Sequence, residues 1–183
     1  MKSFFLIVVI SFVSMTTTHG QTYITKNGKI SFFSKTSMEN IDAVNNQVVS
    51  VLNSKTGVMQ FSVQIKGFLF KKALMEEHFN EEYMESDKYP KATFKGTIPD
   101  LTKVNFAKVG KYGVSVTGNL TVHGVTKKVT VPGTISIVGG KVNATATFNI
   151  LLADYKIDIP KMVQNNISKS IEIKVDCNYL PKP

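Results

Sequence analysis

Arginine is missing from this chain. All 22 basic side chains among its 183 residues are lysines, set against 13 acidic ones for a formal charge of +9. Arginine's planar fork reads guanine or phosphate through two bonds at once, whereas lysine offers only a point charge. The lysines are also interleaved through the apparent strands rather than gathered in one stripe. No nucleic acid is therefore expected as a partner, and the charge reads as a solvated basic surface. An anionic ligand or peripheral contact with an anionic membrane stays open. Cysteine is nearly as scarce: Cys177 stands alone, which excludes an intramolecular disulfide. No His or Asn arrangement near it supports a nucleophile, and its alternation with Ile173 and Val175 reads as a buried, inert thiol.

Long apolar runs are absent after the first twenty residues. Phe4–Val13 (FFLIVVISFV) follows Lys2 and has the length of a signal-peptide core, short for a membrane span; the polar stretch SMTTTHG leads out of it. Thr18 and Gly20 place small residues three and one before a cut at Gln21. The expected division is a signal peptide over residues 1–20 and one domain over 21–183, exported to the periplasm or secreted. An uncleaved amino-terminal anchor is the alternative. About 160 residues suffice for one core or one walled cavity.

What is present is a series of short alternating segments punctuated by Gly, Asn and Pro. Asn27-Gly28 signals a hairpin between Tyr23–Lys26 and Lys29–Lys35. TSMENIDAVNN reads equally as a helical turn or an irregular crossing. QVVSVLN and VMQFSVQIKG flank SKTG as a second hairpin, with Phe61, Val63 and Ile65 on one face. In FLFKKALMEEHFNEEYMESDKYP, residues Phe70, Leu74, Met75, His78 and Phe79 recur at helical spacing, with Lys and Glu opposite. Pro90 closes that segment. Further strands follow in KATFKGTI, KYGVSVTGNLTV, KKVTVPGTISIV, KVNATATFNILLADY and SKSIEIKVDCNYL. The Pro-Gly pair in the third of these predicts a bend or bulge. About eight strands with one helix inserted between the third and fourth predict an all-β, antiparallel meander that closes into a barrel, able to enclose one small ligand. A two-sheet sandwich with a filled core is the alternative, since the same alternation serves a filled interior or a lined one.

Chemistry-bearing patterns are few. Glu76, Glu77, Glu81, Glu82, Glu85 and Asp87 form a dense acidic run, read as the solvated face and exit turn of the helix; docked on a basic barrel, such a helix would form a lid. Glu77-His78 lacks the second His of a zinc helix. His123, beside Gly124, reads as a turn residue, because no local sequence supplies both a nucleophile and an orienting carboxylate. Gly139-Gly140 opens no helix that would hold a phosphate. No catalytic residue, metal or cofactor is expected, and the apolar interior is left as the functional surface. Burying about ten methylenes gives a gross ~8 kcal/mol, enough to hold a greasy chain.

Two motifs carry a resemblance. DKYPKATFKG (Asp87–Gly96) and GNLTVHGVTKKVTV (Gly118–Val131), in this order and after a segment ending HFNEEYMES, resemble the YceI-like family of exported bacterial proteins. ADYKIDIP and the strand after it are similar to the family's end, and the likeness runs over Lys29–Leu180. It implies a lipocalin-like eight-stranded barrel with a helical insertion, non-enzymatic, holding a long isoprenoid, a quinone-like lipid or a similar amphiphile. The lining implied strand by strand is Phe61, Val63, Ile65, Phe94, Ile98, Val114, Val116, Leu120, Ala144, Ala146 and Phe148, with Phe70 and Leu74 from the helical insertion. Phe94 stands first among these. The helical stretch FKKALMEEHF departs from the family in having no arginine. The second reading is a filled barrel acting as a surface or interaction protein without a small-molecule ligand.

Overall fold

Strict alternation of apolar and polar residues makes strands of most of the chain, and their length lets them coil into a closed surface. The computed structural model describes residues 22–182; the expected signal peptide lies outside the described residues. Eight long strands carry the barrel: β1 (Thr22–Lys35), β2 (Asn40–Asn53), β3 (Val58–Gln64), β5 (Lys91–Thr97), β6 (Gly110–Val122), β7 (Val125–Val138), β8 (Lys141–Leu151) and β9 (Ser170–Pro181). A two-residue strand, β4 (Leu69–Phe70), and one short helix, α1 (Ala73–His78), lie between β3 and β5. All pairings are antiparallel, and β1 closes the ring by pairing with both β2 and β9. The eight-stranded barrel with one helical insertion is as the sequence led us to expect.

Turn chemistry fixes the hairpins. His123-Gly124 (φ 50° and 72°) and Gly139-Gly140 (φ 55° and 76°) each form a two-residue reversal with both residues left-handed, the backbone whose twist matches the strands it joins. Asn27-Gly28 does not turn. β1 runs straight through it with register shifts on either side, its two halves pairing with β2 and β9. Gly28 is needed for approach: a Cβ there would stand 2.5 Å from the sulfur of buried Cys177. TSMENIDAVNN resolves as a β1–β2 turn running into β2, where fully buried Asn45 receives the Gln47 N–H and donates to the Gln64 carbonyl. The Pro132-Gly133 pair brings no register shift against β6. Instead, β8 pairs with β7 only from Gly133 onward, so Pro132 stands where its strand has lost one neighbour and an amide-less residue is tolerated.

The helical segment is shorter than its periodicity suggests. α1 ends at His78 and passes into a π-turn, Phe79–Tyr83; after Met84, Glu85 reverses the chain with φ 42°. Among the described residues no helix is long and apolar enough to cross a membrane.

Candidate functional site

The two ends of the barrel are built differently. At the end bearing the β2–β3 and β7–β8 turns, Tyr23, Leu52, Met59, Ile98, Ile135, Ile137, Val142, Cys177 and Tyr179 pack into one buried cluster. Tyr23 stacks on Phe106 at 5.9 Å. The Tyr179 hydroxyl donates to Ser50 Oγ at 2.7 Å, which in turn donates to the Gln60 carbonyl. Burial pushes the Cys177 thiol up to about 12 and raises the Tyr179 phenol as well, so neither ionises under ordinary conditions. This end is sealed.

Above that seal lies a cavity of about 370 Å³, within the size of small-molecule sites. Its wall is almost wholly apolar: Phe61 and Val63 of β3, Ala92 and Phe94 of β5, Val114, Val116 and Leu120 of β6, Val131 and Ile135 of β7, Ala144, Ala146, Phe148 and Ile150 of β8, and Ile171, Ile173 and Val175 of β9. Gly96 and Gly118 face each other across β5 and β6. The Phe94 ring lies over Gly96, where a Cβ would meet its tip at 2.5 Å, and a Cβ on Gly118 would meet the Gly96 backbone at 2.4 Å. The glycine pair is what gives Phe94 room to lie along the wall.

The other end is capped by chain outside the strands. Phe32, Phe68, Phe70 and Phe79 form a ring cluster with centroids 5.0–5.7 Å apart, which docks the insertion on β1. Met75, His78, Phe79, Tyr83 and Met84 face the cavity from above. Glu39 in the β1–β2 turn gathers three segments, accepting from Lys72 Nζ and from Asn166 Nδ2 at 3.3 Å each. The carboxylate and the imidazole of the lining, Glu39 and His78, stand at this end and are partly exposed. Lys66–Asp87 at 2.6 Å and Lys71–Asp42 at 2.8 Å tie down the flanks, although ion pairs this exposed contribute little each.

One polar junction in the cap is less exposed. His123, its side chain 10% exposed, meets Glu85 Oε2 through Nε2 at 2.8 Å and the Tyr155 carbonyl through Nδ1 at 3.2 Å. The Tyr89 ring stands edge-on to the imidazole at 4.7 Å and closes over Gly124, where a Cβ would be 2.5 Å away. The bond from His123, joined by the Lys88 ammonium, holds the Glu85 carboxyl below its usual range, and burial raises the Tyr155 phenol. His123 is indeed a turn residue. The carboxylate that local sequence did not supply comes from 38 positions away. Among the described residues no cluster of His, Cys, Asp and Glu is suited to a metal ion.

Of the lining expected from sequence, Phe61, Val63, Ile65, Phe70, Phe94, Val114, Val116, Leu120, Ala144, Ala146 and Phe148 all border the cavity. Leu74 and Ile98 do not. Leu74 is 62% exposed, because docking on the phenylalanine cluster turns Met75 and Phe79 inward instead. Ile98 belongs to the sealed end. Unanticipated lining comes from Ile30, Phe32 and Ile41 and from Ile157, Val163 and Ile167. Ile30 and Phe32 lie in the assumed hairpin, Ile41 in the stretch that reads equally as a helical turn or a crossing, and the second group sits in irregular chain without periodicity.

A closed antiparallel barrel, sealed at one end and enclosing an apolar cavity under a helical cap, defines the class: a lipocalin-like fold. Within it the chain belongs to the YceI-like family, whose domain model matches residues 9–179. No curated protein sequence matches the chain. Among solved structures, a polyisoprenoid binding domain from Saccharophagus degradans, implicated in plant cell wall breakdown, superposes with a TM-score of 0.78 at 15% identity, covering 89% of this chain and 99% of that one. BcnA of Burkholderia cenocepacia gives 0.66 at 18% identity, over 84% and 96%. A Campylobacter jejuni YCEI protein gives 0.51 at 16%, over 97% and 98%. At these identities the likeness is one of fold.

Proposed function

We propose that this protein is an exported, non-enzymatic carrier that holds the chain of an isoprenoid or quinone-like lipid in its barrel. The observation that carries the reading is the cavity itself: a continuous apolar wall with Glu39 and His78 confined to the capped end. Such a surface recognises by burial alone, at ~0.8 kcal/mol gross for each methylene removed from water. The similar fold of a domain described as polyisoprenoid-binding supports the same ligand class, and the signal-like first twenty residues support a periplasmic or secreted destination. Peripheral contact with a membrane is part of the proposal, since Met38, Leu74 and Met162, on the three segments that meet near Glu39, expose apolar tips at the cap (70%, 62% and 96%). The alternative, a filled barrel serving only as an interaction surface, is disfavoured by the room inside.

Solvent extraction and mass spectrometry of protein purified from its host test the reading, with a stoichiometric lipid expected. The matching variant is Ala146→Phe, which fills the cavity from the wall. It is expected to lower uptake of a polyprenol at least about tenfold with little change in melting temperature. Wild-type protein that neither carries nor takes up such lipids would overturn the proposal.

A further inference from the structure

The geometry points to a proton-controlled latch in the cap, in which doubly protonated His123 clamps Glu85 to the Tyr155 carbonyl and loss of one ring proton frees the lid segment. This goes beyond the lipid-holding reading and does not depend on it.

Each ring nitrogen of His123 faces an oxygen: Nδ1 the Tyr155 carbonyl at 3.2 Å, Nε2 the Glu85 carboxylate at 2.8 Å. A carbonyl and a carboxylate only accept, so both contacts are hydrogen bonds only when both nitrogens donate, and an imidazole that donates twice is an imidazolium. A neutral ring meets one acceptor properly and turns a lone pair toward the other. A protonated Glu85 would also satisfy the geometry, but the bonds from His123 and Lys88 favour its carboxylate. The groups facing the ring are few. The loop after the π-turn brings Glu85, Lys88 (3.6 Å from Glu85) and Tyr89. The turn at Leu152–Tyr155 brings the Tyr155 carbonyl and its buried phenol, with Asp154 and Lys156 adjacent in the chain.

The backbone marks the same place. Among the described residues only three other than glycine have positive φ: Glu85 (42°), His123 (50°) and Lys156 (56°). All three lie at this junction. The hairpin explains His123, since such turns favour left-handed residues. Glu85 and Lys156 each follow a short helical turn, the position where glycine is usual. Side-chain-bearing residues persist in such conformations when their surroundings hold them, and here the ring of His123 joins the segments that contain them. Releasing the ring would let the Phe79–Tyr89 segment, whose Phe79, Tyr83 and Met84 roof the cavity, move away from the barrel.

Hydrogen-exchange protection factors, which normalise for the intrinsic pH dependence, are to be measured on ligand-free protein at about pH 6 and about pH 8.5, spanning the range in which imidazoles titrate. Protection across Phe79–Tyr89 is expected to fall about tenfold at the higher pH, the weight of one hydrogen bond to a charged group. His123→Asn tolerates the left-handed backbone and is expected to show low protection at both values. Glu85→Gln, altering an exposed carboxylate, is expected to do the same and serves should His123→Asn fail to fold. His78→Asn, which removes the ring paired with Glu82, is expected to keep the wild-type response. A flat wild-type profile, a wild-type slope in His123→Asn or Glu85→Gln, or loss of the slope in His78→Asn would overturn the latch. The lipid proposal would stand in each case, because no ligand enters the measurement.

Discussion

The sealed and capped ends of the barrel solve one problem, closing an open tube, by opposite means. The sealed end uses side chains delivered by strands: Leu52, Val142, Cys177 and Tyr179 are at most 1% exposed, and their placement follows from alternation along β2, β8 and β9. The capped end uses segments with little regular structure, held by the phenylalanine cluster, by a smaller buried cluster of Ile65, Met84, Val122, Tyr155 and Ile157, by exposed ion pairs and by one histidine. Interior packing is dense and costly to disturb, whereas contacts among exposed polar groups are individually weak. The contrast is between a floor built mainly by strands and a roof built from the segments between them, the division a container needs if its contents enter and leave at one end.

The contrast breaks most visibly at the floor. Leu52→Ala is expected to cost about 2–5 kcal/mol in urea unfolding, while Met75→Ala, at the roof, is expected to cost less than about 1.5 kcal/mol. Equal losses would mean that the roof is as tightly integrated as the floor. A smaller effect sharpens the picture of the floor: Tyr179→Phe removes one bond to Ser50, whose own bond to Gln60 remains, for about 1 kcal/mol by the same measurement. The smallest effect concerns acid. The Glu85 carboxyl is held below its ordinary range by His123 and Lys88, so its contribution is present above the ordinary carboxylate pKa and is lost as pH falls through the lowered value. The difference in melting temperature between wild type and Glu85→Gln is therefore expected to shrink to nothing in strong acid. A difference that persists there would show that the carboxylate's charge is not what matters.

Legibility in the sequence follows the same division. Strands β5 to β9 could be read from alternation, because a strand with one buried face must alternate; which face turns inward could not, and the lining that includes Phe94, Val116, Leu120 and Ala146 rested on the family resemblance. The bulged β1 could not: Asn27-Gly28 carries the signature of a hairpin, and only the approach of Cys177, far along the chain, explains why a glycine is needed there. Leu74 illustrates the limit for helices. Its spacing was right for a buried face, but a helix of six residues has its rotation set by what it docks on, here the rings of Phe32, Phe68, Phe70 and Phe79. The meeting of Glu85 with His123 had no local trace. It does explain how DKYP and HGVTK, distant in sequence, meet in the fold: Tyr89 rests on Gly124, and the loop ahead of it binds the neighbouring histidine.

The position of β1 between β2 and β9 has a consequence for assembly in time. Every hairpin from β2 to β8 can form as the chain lengthens, but β1 stays half-paired until the last strand exists. Up to that moment β1 and β8 each present a bare edge, the template on which foreign strands add. Contacts joining the two extremes of a chain are also the slowest to form, since the longest loop must close first. Strand β9, 12 residues from Ser170 to Pro181, is therefore what covers both edges and closes the sheet into a container.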